Sequence, residues 1–423
     1  MIKKTVINIL NIGTKHRSVI ESFLSLSTLQ FANYLIPLFL YPFLIRRLGA
    51  DEFGLIMFAL SFVTFFTIFV DFGFNYTSTR DISANRKNSD FVEDTFWHVI
   101  FAKLFLFLIA SLIFSILVFS IPRFRLNSSV YLVFLFMVGG NAIFPNWLFQ
   151  GVEKMRVLAI INVISKVLLL LPVVFLVKSE EDILVFPLLY SLSFLFAGLI
   201  GFFYAYFSFD FKFRVVSFSD IFKQLKYSKD IFFSNFFINI YFSTNAFVLG
   251  LVTGRNDFVG YYSISEKAVR GIRYLISPIT DALFPFLSHK FHTIEIRMVR
   301  RTLVKVLIYT SPLIFGIIAG LIIFPHYISK LLSGSSNDHI VNSIIIMSPV
   351  ILLGTINSVF GVLGLITIKR EVLFRNSVIA TGILNFGLCI LLSSYFKVEG
   401  AAFAVLVSEA FLCCLLTYKL FRI

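Results

Sequence analysis

Apolar runs of about 20 residues, separated by short polar connections, recur along the whole chain and constrain its fold more than any other feature. Some 20 mainly apolar residues in a helix cross a hydrocarbon core about 30 Å thick. About twelve such runs can be read, the first at 22–45 and 54–75 and the last at 373–395 and 400–421. They are too long and too evenly apolar for barrel strands, whose residues alternate, so helices are what satisfies the backbone in lipid. The expected fold class is all-α and integral to a membrane. Composition agrees: 58% of the 423 residues are hydrophobic and 14% charged, against roughly 25% charged in soluble domains.

The net charge of +14 would suggest a nucleic-acid partner in a soluble protein. In a membrane chain it reports orientation first. With the N-terminus in the cytoplasm, Lys and Arg favour the inner connections over the outer ones by about three to one, so both termini are expected inside. Trp97 and Trp147 then fall at the inner interface, where amphipathic rings prefer to sit. The first run follows Lys3, Lys4, Lys15 and Arg17, is too long for a cleaved signal and lacks a small-residue cleavage site. Cys389, Cys413 and Cys414 all lie in apolar runs and read as packing residues.

The connection 208–229 divides the chain into two sets of six helices, giving an N-terminal bundle 1–207, an interfacial linker 208–229 and a C-terminal bundle 230–423. The linker alternates Phe209, Phe211 and Phe213 with Asp210, Lys212 and Arg214, which suits a strap lying on the membrane surface. Six is even, so the halves would share one orientation about an axis along the membrane normal. A local echo supports duplication: the second helix of each half opens with Asp-x-x-Gly, Asp51 to Gly54 and Asp257 to Gly260.

Charges inside the apolar runs carry the functional signal. Lys103 and Lys305 lie near inner ends and can snorkel. Lys166, Lys267, Arg270 and Arg273 are deeper, where each cation facing lipid costs roughly 2.5–3.5 kcal/mol. Lys267, Arg270 and Arg273 step by three along one helix face, and Glu266 stands four residues before Arg270. One carboxylate leaves two surplus cations, a stripe suited to an anion in a wet cavity. The acidic residues within runs are Asp71, Glu266, Asp281 and Glu409, candidates for charge balance or ion coupling, with Glu409 placed to neutralise Lys166. No phosphate loop, H-E-x-x-H or C-x-x-C pair occurs and the six histidines show no metal spacing, so no cofactor or metal is expected.

Several stretches resemble Wzx-type polysaccharide (O-antigen) flippases of the multidrug/oligosaccharidyl-lipid/polysaccharide exporter superfamily. These are LQFANYLIPLFLYPFLIRRLGADEFGL (29–55), DFGFNYTSTRDISANR (71–86), WLFQGVEKM (147–155) and VGYYSISEKAVRGIRYLISPITDALFPFLS (259–288). The resemblance implies two six-helix bundles flanking a central cavity in the bacterial inner membrane. It implies a flippase rather than an enzyme, moving an undecaprenyl-diphosphate-linked oligosaccharide from the cytoplasmic to the periplasmic leaflet. A polysaccharide polymerase and a chain-length regulator are the protein partners it implies, alongside membrane lipids. The family's basic block falls on Glu266, Lys267 and Arg270. Two other readings share this hydropathy: a cation antiporter of the same superfamily, which would need an acidic or aromatic site, and a membrane polysaccharide polymerase, which would need a sizeable outer loop.

Overall fold

The computed structural model describes residues 2–291 and 296–422, with side chains described for all of these except 2–35, 240–243, 275, 277–282, 285–286 and 288–291. Every regular element among the described residues is a helix. Eight of them are long and apolar enough to cross a membrane, or nine if the bent pair Phe218–Asn239 and Thr244–Thr253 is one span. Twelve was the expectation, and particular residues account for the difference. Ile2–Asp71 and Glu371–Arg422 are each two helices joined at a kink, at Gly49 (φ 77°) and Lys397 (φ 51°). Glycine tolerates that left-handed backbone without steric cost, whereas at Lys397 it is a conformation that L side chains rarely adopt. Asn256–Phe291 is a further long helix, but its charged residues lower its hydropathy.

Packing groups the chain into two compact units. One comprises Met1–Tyr34, Phe65–Phe175 and Leu184–Phe232; the other comprises Leu35–Thr64, Leu176–Ile183 and Phe233–Ile423. The grouping does not follow chain order, because Leu35–Thr64 clusters with residues two hundred positions later.

In the first unit, Ser89–Ser120, Leu135–Ile143, Met155–Leu170 and Val185–Ser208 form the main helices. Asn88 caps the first, its side chain accepting from the Phe91 amide at 3.2 Å. Leu135–Ile143 and Val185–Ser208 approach through glycines: a Cβ at Gly198 would lie 2.5 Å from the Gly140 carbonyl oxygen, and one at Gly140 would overlap the Phe194 carbonyl. Helices in lipid gain by such close approach, since burial offers little there. Gly198→Leu is therefore expected to cost about 1–3 kcal/mol or more, read as loss of monodisperse protein in detergent. Gly387→Leu, at a position with nothing within 4 Å, is expected to leave it unchanged.

Part of the 208–229 segment docks on the start of Ser89–Ser120, while Phe213, Val215, Phe218 and Phe222 stay exposed. Phe211 is buried against Phe96, with ring centroids 4.8 Å apart, and the Lys212 carbonyl accepts from Trp97 Nε1 at 2.7 Å. Arg214 pairs with Glu93 at 3.1 Å and also with Asp94. The alternation read in the sequence is that of an extended segment, which sends aromatic rings to one side and charges to the other. Both tryptophans are buried, Trp147 fully, with its ring 6.0 Å from that of Phe96.

In the second unit, Ile296–Ile323, Val350–Asn357, the π-helix Ser358–Ile366 and Glu371–Arg422 share an apolar core that includes Leu303, Val359, Leu363, Leu416 and Leu420. The π-helix widens the backbone directly after Asn357, and such departures recur at functional positions.

Candidate functional site

The helix Asn256–Phe291 presents the expected basic stripe, and the structure shows how each charge is held. Arg270 Nη2 lies 3.0 Å from Glu266 Oε1, the i,i+4 pair anticipated from spacing. Tyr262 donates its hydroxyl to the same Glu266 oxygen at 3.1 Å. One turn on, Arg273 Nη1 meets Glu409 Oε1 at 2.9 Å and Nη2 donates to the Gly354 carbonyl at 3.2 Å. A side chain at position 354 would occupy the space the Arg273 guanidinium fills. Asn357 Nδ2 donates to the other Glu409 oxygen at 2.6 Å, so both carboxylate oxygens are engaged.

Glu409 thus pairs with Arg273, not with Lys166 as the sequence suggested. Helical spacing fixes which residues share a face but not which helix turns toward it. Lys166 sits in the first unit, its Nζ 5.0 Å from the centre of the Phe194 ring. Lys267 is exposed and has no carboxylate partner among the described residues. Among the described residues, Glu266 and Glu409 are the carboxylates seen paired with the cations of the stripe. Arg270 and Arg273 retain some exposure, with side chains 16% and 22% accessible.

The remaining charges resolve differently. Lys103 does not snorkel: it is buried and pairs with Asp71 at 3.5 Å, and Asn75 donates to the same carboxylate at 2.7 Å. This cluster sits where Ile2–Asp71 gives way to Phe74–Asn85 through the left-handed residues Phe72 and Gly73. The Asp281 side chain lies outside the described residues, as do those of Gln30, Asn33 and Tyr34. Asn239 is satisfied locally, donating to the Asn235 carbonyl at 2.8 Å.

Sequence reasoning missed Asn357, Tyr262 and a buried amide network. Asn385 Nδ2 donates to Asn245 Oδ1 at 2.8 Å, and Ser408 donates to Asn385 Oδ1 at 3.1 Å. The Asn245 Nδ2 and Asn357 Oδ1 atoms are buried without a hydrogen-bond partner among the described residues. The available signal was isolated Asn and Ser within apolar runs, which does not distinguish a packing bond from a site.

The fold is shared with known transporters. The lipid II flippase MurJ in an inward closed conformation superposes with a TM-score of 0.69 at 14% identity, covering 95% of this chain and 87% of that one. An inward-facing multidrug resistance MATE family transporter of the MOP superfamily gives 0.65 at 12%, covering 94% and 98%. Closer in sequence is a protein of Escherichia coli strain K12 named "Putative O-antigen transporter", 28% identical over 96% of both chains. One of the same name from Shigella dysenteriae is 26% identical over 61% of this chain and 64% of its own. The polysaccharide biosynthesis protein family model matches residues 19–291, a span that contains both the Asp71–Lys103 cluster and the whole basic stripe, and the chain belongs to that family.

Proposed function

We propose that this chain carries a lipid-linked oligosaccharide, an undecaprenyl-diphosphate-linked repeat unit, from the cytoplasmic to the periplasmic leaflet of the bacterial inner membrane by alternating access. The observation that carries the reading is the stripe, in which Lys267, exposed and without a carboxylate partner among the described residues, stands on the same helix as Arg270 and Arg273, which pair with Glu266 and Glu409. Guanidinium forks bind phosphate oxygens bidentately and an ammonium adds a point charge. A diphosphate would meet Lys267 first and then compete with Glu266 and Glu409 for Arg270 and Arg273. Lys166 is a further cation within the first unit, while Asp71 and Asp281 serve charge balance. The names of the relatives support transport of a polysaccharide precursor.

The product would pass to a polymerase and a chain-length regulator on the periplasmic side, with both termini of the carrier in the cytoplasm. An antiporter of cationic compounds would need an available carboxylate, whereas Glu266 and Glu409 are each engaged by an arginine.

Lys267→Gln tests the reading, because no buried partner is left stranded by it. Losing one charge-assisted contact of about 1.5–3 kcal/mol is expected to lower flipping of the lipid-linked glycan about tenfold or more. Surface polysaccharide would fall at unchanged membrane abundance. Full surface polysaccharide in that variant would remove the stripe from the mechanism.

A further inference from the structure

We infer that one end of the second unit, cytoplasmic in the reading above, binds the headgroups of acidic phospholipids where three segments of the chain converge. The inference goes beyond the carrier reading and does not depend on what the chain transports.

The segments are the first turns of Ile296–Ile323, the passage from the π-helix into Glu371–Arg422, and the last turns of that helix, all within the second unit. Arg300 Nε donates to the Leu420 carbonyl at 3.2 Å, and its guanidinium lies 5.4 Å from the centre of the Phe421 ring. Lys419 Nζ donates to the Leu373 carbonyl at 3.3 Å and to Ser377 Oγ at 2.8 Å. A Cβ at Gly364 would lie 3.2 Å from Leu303 and 3.5 Å from Leu420, so apolar packing joins the same segments. Arg300 thus satisfies a carbonyl left unpaired at a helix end, an ordinary task for a cation there.

Other cations of these segments have no such task. Arg297, Arg301, Lys369, Arg370, Arg375 and Arg422 are all exposed, and none has a carboxylate partner among the described residues. Glu371 is the carboxylate described there and is itself exposed, while Glu295 lies outside the described residues. Membrane orientation accounts for basic residues in an inner connection, but not for leaving them unmatched. In the first unit the cations assigned to the same side are matched on the protein: Arg86 with Glu153 at 2.7 Å, Arg214 with Glu93 at 3.1 Å, and Lys223 with Asp220 at 2.8 Å.

The counter-charge for this end then comes from outside the chain, and the surrounding surface indicates what carries it. Met298, Val372, Tyr418 and Phe421 are exposed on the same segments as the cations. Guanidinium forks bind phosphate oxygens bidentately, and the apolar side chains suit the acyl carbons that follow a phosphate in a phospholipid. Clusters of basic residues at the cytoplasmic ends of membrane helices attract acidic headgroups in this way. A soluble phosphate would use the cations and leave the apolar residues uncovered.

The test measures which lipid the purified full chain retains from mixed micelles of phosphatidylglycerol and phosphatidylcholine, read by native mass spectrometry. The wild type is expected to keep phosphatidylglycerol in preference. Arg301→Gln and Arg375→Gln should each lower that preference about fivefold, the effect of one basic residue near a membrane surface. Lys330→Gln, in the helix that follows the far end of Ile296–Ile323, should leave it unchanged. Added salt should weaken the wild-type preference by screening, which tests the site even where a variant fails to accumulate. Equal retention of the two lipids by the wild type overturns the inference, and the cations then serve orientation alone. An unchanged preference in both arginine variants overturns the site. Displacement of the lipid by inorganic phosphate at matched ionic strength overturns the lipid as its occupant. No glycan lipid enters the measurement, so its failure and that of the carrier reading are distinguishable.

Discussion

Arg273→Gln is expected to destabilise the folded chain by about 3–5 kcal/mol, because it strands Glu409 in an apolar interior. Glu409 is 5% exposed and is held by Arg273 Nη1 at 2.9 Å and Asn357 Nδ2 at 2.6 Å. Removing the cation leaves one neutral donor for a buried carboxylate, which cannot offset its lost hydration. The double variant Arg273→Gln, Glu409→Gln should recover most of that loss, since two amides can hydrogen-bond each other without carrying charge. The comparison separates structure from transport. If Arg273 only neutralises Glu409, the double variant will fold and also carry glycan. If Arg273 grips the diphosphate, the double variant will accumulate normally and remain defective. Abundance and surface polysaccharide measured on the same cells decide between these outcomes.

Collapsing the membrane potential is expected to slow transport far more than collapsing the pH gradient. Counted over the described residues, the empty stripe holds three cations against the carboxylates of Glu266 and Glu409, one positive charge in surplus. Binding a diphosphate of roughly two negative charges turns that to one negative. With a negative interior, the loaded site is driven outward and the empty site is drawn back inward, so both half-cycles run downhill. One charge across 100 mV is worth about 2.3 kcal/mol, and two give about 4–5 kcal/mol. That corresponds to about a thousandfold in the equilibrium ratio between leaflets. Valinomycin with potassium should therefore depress flipping in vesicles, while nigericin should have little effect. The reverse result would move the driving force to protonation of Glu266 or Glu409, with release of the paired arginine as the coupling step.

The charge count on which this depends shows where the sequence stops being sufficient. Spacing identified Lys267, Arg270 and Arg273 as one face and paired Glu266 with Arg270, because i,i+4 geometry belongs to a single helix. It left two surplus cations. Glu409 lies 136 residues from Arg273, and their pairing depends on how two helices are rotated about their own axes. No local pattern encodes that rotation. Lys103 failed for the same reason: proximity to a helix end suggested snorkelling, but packing buried it against Asp71. Asn357 and Tyr262 went unremarked because an isolated polar residue in an apolar run has the same appearance whether it packs or serves a site.

The sequence by itself determined that the chain folds in lipid, that it does so as helices, and that one of those helices carries a cationic face. Those properties follow from apolar length and from the 3.6-residue period, both local to a segment. Only the tertiary structure decided how the charges are matched, that the 208–229 segment docks on the start of Ser89–Ser120, and that two distant Asp-x-x-Gly motifs meet reciprocally. Each of these depends on which surfaces helices present to one another. In a solvent as apolar as their own side chains, that choice rests on close backbone approach and buried polar pairs, which the order of residues along one helix does not reveal.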